Sequence, residues 1–289
     1  MRVLIVGCGY VGLPLGAQLV RQGHLVWGLR RTQQANSEME AAGITPINAD
    51  ITQPKALAAL PQQFDWVVHC VSASGGGAEE YRAVYFEGTR NLIQWLTERP
   101  PQKLVYTSST SVYGQNDGNW VTEDSPAIPA SKTGEILIST EQLLQDAARE
   151  ERVPAVILRA AGIYGPGRGY WLKQFLRGEA TIEGKGERWL NMIHRDDLGG
   201  AIVTALRGGT PGRIYNACDN EPVTQLTCFQ WLAEKLGREL PPSAPEATGA
   251  GRKRGVTNKR ISNRRLREEL GYSFVYPTFR EGFSAELNG

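Results

Sequence analysis

Apolar positions fall along the chain in short blocks. Residues 3–6 (VLIV) form an apolar run that ends in glycines, and residues 13–20 follow with apolar side chains at helical spacing up to Gly23. Residues 25–29, 64–71 (FDWVVHCV), 103–107 (KLVYT) and 155–158 (AVIL) are further apolar runs, with helical periodicity over 81–96 and 136–150. Strand-like runs alternating with amphipathic helices predict a parallel sheet covered by helices on both faces. The fold expected is therefore α/β, with a doubly wound parallel sheet. After Gly162 the alternation loosens and glycine and proline become frequent (GIYGPGRGYW, EGKGER). This divides the chain into a nucleotide-type domain over 1–162 and a smaller C-terminal substrate lobe over 163–289, with Ile214–Ala217 returning to the main sheet as a strand. Residues 241–255 (PPSAPEATGAGRKRG) read as a mobile loop.

Composition narrows the class only a little. The 289 residues suit one large α/β domain or a nucleotide domain plus a lobe, and a hydrophobic content of 41% is ordinary for a globular protein. A net charge of +2 gives no reason to expect nucleic acid as a partner. Cys8, Cys70, Cys218 and Cys228 are scattered without metal-ligand spacing, and the three histidines are dispersed, so no metal site is expected and a reducing, cytoplasmic setting fits best. The opening apolar run is shorter than the ~7–15 residues of a signal peptide. No run approaches the ~18 residues of a membrane span, so no membrane association is expected.

The first candidate chemistry lies where the first strand meets the first helix. Gly7-Cys8-Gly9-Tyr10-Val11-Gly12 is a G-x-G-x-x-G in the place where a Rossmann-type fold binds a dinucleotide. The first glycine permits a tight turn, the second admits a pyrophosphate to the backbone, and the third lets helix and strand pack closely. The second strand ends VWGLRRT. An NAD-selective site places an acid there for the ribose 2′-hydroxyl; Arg30 and Arg31 instead suit a 2′-phosphate, which a planar guanidinium grips with two oxygens at once. NADP is thus expected over NAD. Asp50 and Ile51, after the apolar residues 44–47, fall where a side chain meets the adenine.

Several stretches then match a family. DWVVHCVS, TSSTSVYG, LRAAGIYGPG, NMIHRDDLGGAI and IYNACDNEPVT resemble, in order, segments of the extended short-chain dehydrogenase/reductase superfamily, its NAD(P)-dependent epimerase/dehydratase group. The resemblance runs from residue 1 to about 225, and it is to an atypical member. It implies cofactor contacts from Gly7, Gly9, Tyr10, Val11 and Gly12, from Arg30, Arg31, Asp50 and Ile51, and from Val71, Ser72 and Ser108. It also implies a small-molecule substrate, and a homodimer is the family's habit.

The family's active site is a tetrad of Asn, Ser or Thr, Tyr and Lys, with the last two written P-x-x-x-Y-G-x-x-K-x-x-x-E. In PASKTGEILISTE, Pro129, Gly134 and Glu141 match that frame, but Thr133 stands at the tyrosine position and Leu137 at the lysine position. Tyr85 stands at the asparagine position, three residues before Gly88-Thr89, and Ser109 keeps the serine. An aliphatic hydroxyl cannot be brought to a useful pKa as a phenol of pKa about 10 can. Ser109, Tyr85 and Thr133 are therefore the candidate catalytic residues, with Tyr85 the first to test. The contacts that nucleotide-sugar enzymes make to a substrate diphosphate are also changed: Gly162 replaces an Asn, and Leu190 an Arg, with Arg188 nearby.

Other residues invite both functional and structural readings. Tyr113 and Tyr164 belong to strand-end turns, His69 to a buried strand, and His194 to the start of a helix. Tyr170, Trp171, Phe175 and Trp189 line either an apolar pocket or a core between the lobes. Arg252, Lys253, Arg254, Lys259, Arg260, Arg264, Arg265 and Arg267 form either a solvated face or an anion site. The leading expectation is an NADP(H)-dependent oxidoreductase or epimerase with a degenerate Tyr/Lys site. The alternatives are a catalytically silent NADP(H)-binding regulator and a nucleotide-sugar epimerase/dehydratase with altered contacts.

Overall fold

The computed structural model describes residues 1–61, 63–73, 75, 77–245 and 257–288. Seven strands form one parallel sheet: β1 (Arg2–Val6), β2 (Leu25–Arg30), β3 (Thr45–Asn48), β4 (Trp66–His69), β5 (Lys103–Ser109), β6 (Ala155–Ala160) and β7 (Ile214–Ala217). Their order is β7-β6-β5-β4-β1-β2-β3, and every neighbouring pair is parallel. This is a Rossmann-type sheet. The chain reverses its direction of travel across the sheet at β1, which has β2 on one side and β4 on the other. A crevice at the carboxyl ends of those strands is the site such a topology offers.

Both faces of the sheet are covered, which explains why its strands read as apolar runs rather than as alternations. Leu4, Val6, Val67, Leu104 and Tyr106 point into one layer, with Leu92 of α2 (Gly88–Thr97) and Leu137 and Leu144 of α3 (Lys132–Arg149). Val3, Ile5, Val68 and Val105 point into the other, with Leu15 and Leu19 of α1 (Gly12–Arg21) and Leu198 and Ile202 of α4 (Arg195–Gly208). A third buried cluster, including Tyr164, Phe175, Leu190, Phe229, Phe279 and Phe283, is drawn entirely from residues beyond 162.

Local chemistry moves some boundaries. Helix α3 begins at Lys132, four residues before the periodic stretch 136–150, because the Ser131 hydroxyl accepts from the Gly134 amide at 3.3 Å and caps it. The stretch 81–96 is not one regular helix: a π-helical segment, Arg82–Glu87, sits between Ala78–Tyr81 and α2. The short edge strand β3 was hidden in the run 44–47. In the stretch 241–255, Ser243–Ala244 pairs in parallel with Ile182–Glu183, so the mobile-loop reading does not hold there. Residues 246–255 of that stretch, with Arg252, Lys253 and Arg254, lie outside the described residues.

Candidate functional site

A cavity of about 360 Å³ lies where β1, β2, β4 and β5 end. The glycine turn forms its floor, and each glycine is there for a different reason. Gly7 has φ +92°, and a Cβ on it would stand 2.6 Å from the Val71 amide nitrogen. Its N–H and that of Cys8 donate to Leu29 O at 3.1 and 3.2 Å, tying the turn to β2. A Cβ on Gly12 would stand 2.7 Å from Gly7 O and 2.8 Å from Ile5 Cγ2, so α1 can approach the sheet only with glycine there. Gly9 differs: a Cβ there would meet nothing nearer than Gly7 O at 4.0 Å, so the space its side chain would take is open. Gly7, Gly9, Tyr10 and Val11 line the cavity, whereas Gly12 lies behind it as packing.

At one end the lining is polar and cationic: Arg30, Arg31, Thr32, Asp50, Ile51 and Thr52. The loop after β3 is held in shape by Thr52 N–H donating to Asp50 Oδ1 at 2.9 Å and by Asn91 Nδ2 donating to Ile51 O at 3.0 Å. Val71, Ser72 and Ser108 line the middle. The other end is formed by Tyr81, Val84, Tyr85, Ser109, Leu137 and Ile163.

Tyr85 stands on the π-helical segment, a local geometry that recurs at functional sites. Its hydroxyl accepts from the Ala73 amide at 3.4 Å, and its ring lies 4.8 Å from that of Tyr81. The Ser109 hydroxyl accepts from Ser111 N–H at 3.2 Å, which leaves its own proton to donate. Leu137 is buried against the cavity, where it brings no charge. Thr133 is not among the lining residues; its hydroxyl lies 3.1 Å from Ser131 Oγ near the start of α3. A Cβ on Gly134 would stand 2.5 Å from Pro129 Cβ, so the Pro129/Gly134 frame in PASKTGEILISTE is a packing requirement at this turn.

A buried polar network backs the site. Glu141 of α3 accepts from Arg159 Nη2 at 2.6 Å and from Ser108 Oγ at 2.5 Å. Arg159 Nη1 donates to Tyr113 Oη at 2.7 Å, and Tyr113 donates to Asn216 Oδ1 of β7 at 2.9 Å. This chain fixes α3, β5, β6 and β7 to one another, and breaking a buried pair of this kind costs about 3–5 kcal/mol. Tyr113 is thereby a structural residue. Tyr164 packs edge-on to His194 and Phe283, and His194 Nδ1 caps α4 by accepting from Asp196 N–H at 3.2 Å. His69 is fully buried, with Nε2 2.8 Å from Thr89 Oγ1, and burial pushes its pKa down to about 3.

The substrate-side residues are dispersed. Leu190 is buried in the third cluster; Arg188 pairs with Glu183 at 3.2 Å and lies over Trp171. Phe175 is buried, Tyr170 is 62% exposed, and Trp189 stacks on Arg260 instead of joining them, so the four aromatics do not form one pocket. Of the basic segment, Lys259 is buried while Arg264 and Arg267 are exposed. Among the described residues no group of three or more His, Cys, Asp and Glu is placed to hold a metal, and no helix is long and apolar enough to cross a membrane.

Sequence reasoning missed Tyr81, Val84, Ile163 and Arg168 in the lining. For the first two the signal was absent, because the π-helical segment breaks the helical period. Arg168 carried a signal, a lone cation inside the glycine-rich YGPGRG turn.

The model of the NAD dependent epimerase/dehydratase family matches residues 3–218. Protein YeeZ of Escherichia coli K12 is 29% identical over 96% of this chain and 96% of its own length. The 3-diazoavenalumate denitrifying reductase of a Streptomyces species is 26% identical over 99% of this chain and all of its own. A solved structure from Methylobacillus flagellatus, described provisionally as an NAD-dependent epimerase/dehydratase, is 35% identical, with a TM-score of 0.79 over 99% of this chain and 97% of its own.

Proposed function

Since the chain belongs to the NAD-dependent epimerase/dehydratase family, we propose that it is an NADP(H)-dependent oxidoreductase whose proton chemistry has left the positions of the family's tyrosine and lysine. One observation carries this reading. Tyr85, Ser109 and Leu137 line one cavity, whereas Thr133 does not line it. The dinucleotide fits the residues present: Gly9 leaves the space beside the turn open, and Gly7 and Gly12 keep the turn tight. Arg30 and Arg31 would hold the 2′-phosphate, and Asp50 and Ile51 the adenosine. When bound, the nicotinamide supplies hydride chemistry.

The chain's own part is proton handling and orientation. The Ser109 O–H donates to a substrate oxygen, and the Tyr85 phenol carries the proton that oxygen gains or loses. Val84, Leu137 and Ile163 keep water from that end. The substrate is a small carbonyl compound or alcohol, taken up from the side of residues 163–289. A nucleotide sugar is disfavoured, since Gly162 has no side chain for its diphosphate and Leu190 is buried. That the Streptomyces relative, matched over its full length, is a reductase by name agrees with the reading. The four free cysteines suit a reducing cytoplasm.

A second reading, a silent NADP(H)-binding regulator, is favoured by Leu137, an uncharged side chain in the cavity lining where the family frame has its lysine. Purified protein incubated with NADPH and a panel of aldehydes, ketones and quinones separates the two. Oxidation of NADPH with any of them supports the enzyme; tight NADPH binding with no turnover across the panel supports the regulator.

A further inference from the structure

Among the described residues, four charged side chains line the cavity: Arg30, Arg31, Asp50 and Arg168. The first three gather where β2 and β3 end. Arg168 comes from beyond residue 162, on a tight turn in which Gly165 N–H donates to Arg168 O at 2.9 Å and Arg168 N–H donates to Gly165 O at 2.8 Å. Gly165 and Gly167 hold that turn at φ +142° and +69°, so its tip is a defined structure rather than a loose arm. The Arg168 guanidinium lies over the Tyr10 ring, 5.0 Å from its centroid, and Tyr10 directly follows Gly9, the glycine with open space before it.

A second guanidinium shares that ring. Arg195 lies 5.3 Å from the same centroid, but Asp196 neutralises it at 3.0 Å. Among the described residues no carboxylate pairs with Arg168. Arg168, with no such neutralising partner, is exposed and able to turn toward an anion placed at Gly9. Resting on the reading of this cavity as the dinucleotide site, we infer that Arg168 is a clamp for the dinucleotide's pyrophosphate. The cavity's positive charge is then divided by phosphate: Arg30 and Arg31 serve the 2′-phosphate, and Arg168, from beyond residue 162, serves the diphosphate.

Two ligands test this by calorimetry. NADPH carries both phosphate groups; adenosine 2′-monophosphate carries only the first. Arg168→Ala is expected to weaken NADPH about tenfold, the lower range for a charge-assisted hydrogen bond at an exposed position. It should leave adenosine 2′-monophosphate unchanged. Arg168→Lys, which keeps the charge, should lose no more than about threefold, since an ammonium still neutralises phosphate without the fork. An Arg30→Ala, Arg31→Ala double variant should weaken both ligands. Unchanged NADPH affinity in Arg168→Ala would overturn the clamp and leave the cofactor reading standing. Equal weakening of both ligands would also overturn it, pointing to a damaged fold. If the parent binds neither ligand, the cofactor reading falls first and the clamp with it.

Discussion

The glycine turn after β1 and the helix α3 both bring a recognisable sequence frame to this cavity, but the two frames constrain different things. In the turn, every kept position answers to the backbone: a side chain on Gly7 would strike Val71, one on Gly12 would strike Gly7 O and Ile5, and one on Gly9 would stand in the open space before it. In α3 the kept positions, Pro129, Gly134 and Glu141, answer to packing and to the buried pair with Arg159. Of the two positions that hold an acid/base and a cation in the family frame, Leu137 answers to packing alone and Thr133 lies off the cavity. Backbone and packing requirements thus account for the kept positions of both frames, and a kept frame by itself does not establish which reaction it serves.

The comparison breaks most sharply at Tyr85. If proton transfer has moved there, Tyr85→Phe lowers kcat by about 10²–10⁴-fold, the usual worth of general acid–base catalysis, while NADPH affinity stays the same. A kcat within a few-fold of the parent would return the chemistry to α3 or to no residue at all.

The glycines give the next largest effect and separate fold from function. Gly7→Ala combines strain at φ +92° with a contact of 2.6 Å to backbone, where nothing flexible can yield. It should cost about 2–4 kcal/mol of stability in urea titration. Gly9→Ala should unfold like the parent yet lose NADPH, because its new methyl occupies only the cavity. If both variants lose stability equally, the distinction drawn between the two glycines is wrong.

His69 tests the strand that supports Gly7 through Val71. Its folded pKa, about 3, lies below the ordinary 6.5, because burial disfavours the charged ring and Nδ1 has no acceptor. The unfolded chain therefore binds the extra proton. The stability His69 contributes is complete above about pH 6.5 and is lost as pH falls toward 3, by about 2 kcal/mol already at pH 5. Urea titrations at pH 7 and pH 5 should show that loss in the parent, and a smaller one in His69→Gln. An equal loss in both would assign the acid sensitivity to other groups.

At the cationic end, the Arg30→Ala, Arg31→Ala double variant should reduce the preference for NADPH over NADH by about tenfold to a hundredfold, the equivalent of one or two charge-assisted hydrogen bonds. Equal affinities for the two cofactors in the parent would remove the ground for NADP selectivity. The smallest effect is expected at Thr133→Ala: less than about threefold in kcat, since a residue off the cavity contributes no acid–base term. A hundredfold loss with NADPH affinity intact would make PASKTGEILISTE catalytic after all.

The sequence by itself determined the sheet and the glycine turn, because each rests on local rules. Strands buried on both faces must be apolar throughout, so β1, β2, β4, β5, β6 and β7 could be read directly. A tight turn beneath a phosphate admits only glycine at set spacings. Only the tertiary structure decided which side chains share the cavity. Its lining comes from the ends of six parallel strands and from a turn beyond residue 162, and the crossovers that bring them together leave no periodic mark. The π-helical segment aims Tyr81 and Tyr85 by breaking the very period a sequence reading relies on. Glu141 found its partner in Arg159, and Arg168 its place over Tyr10, because pairs so far apart in the chain meet only when the sheet has ordered its strands.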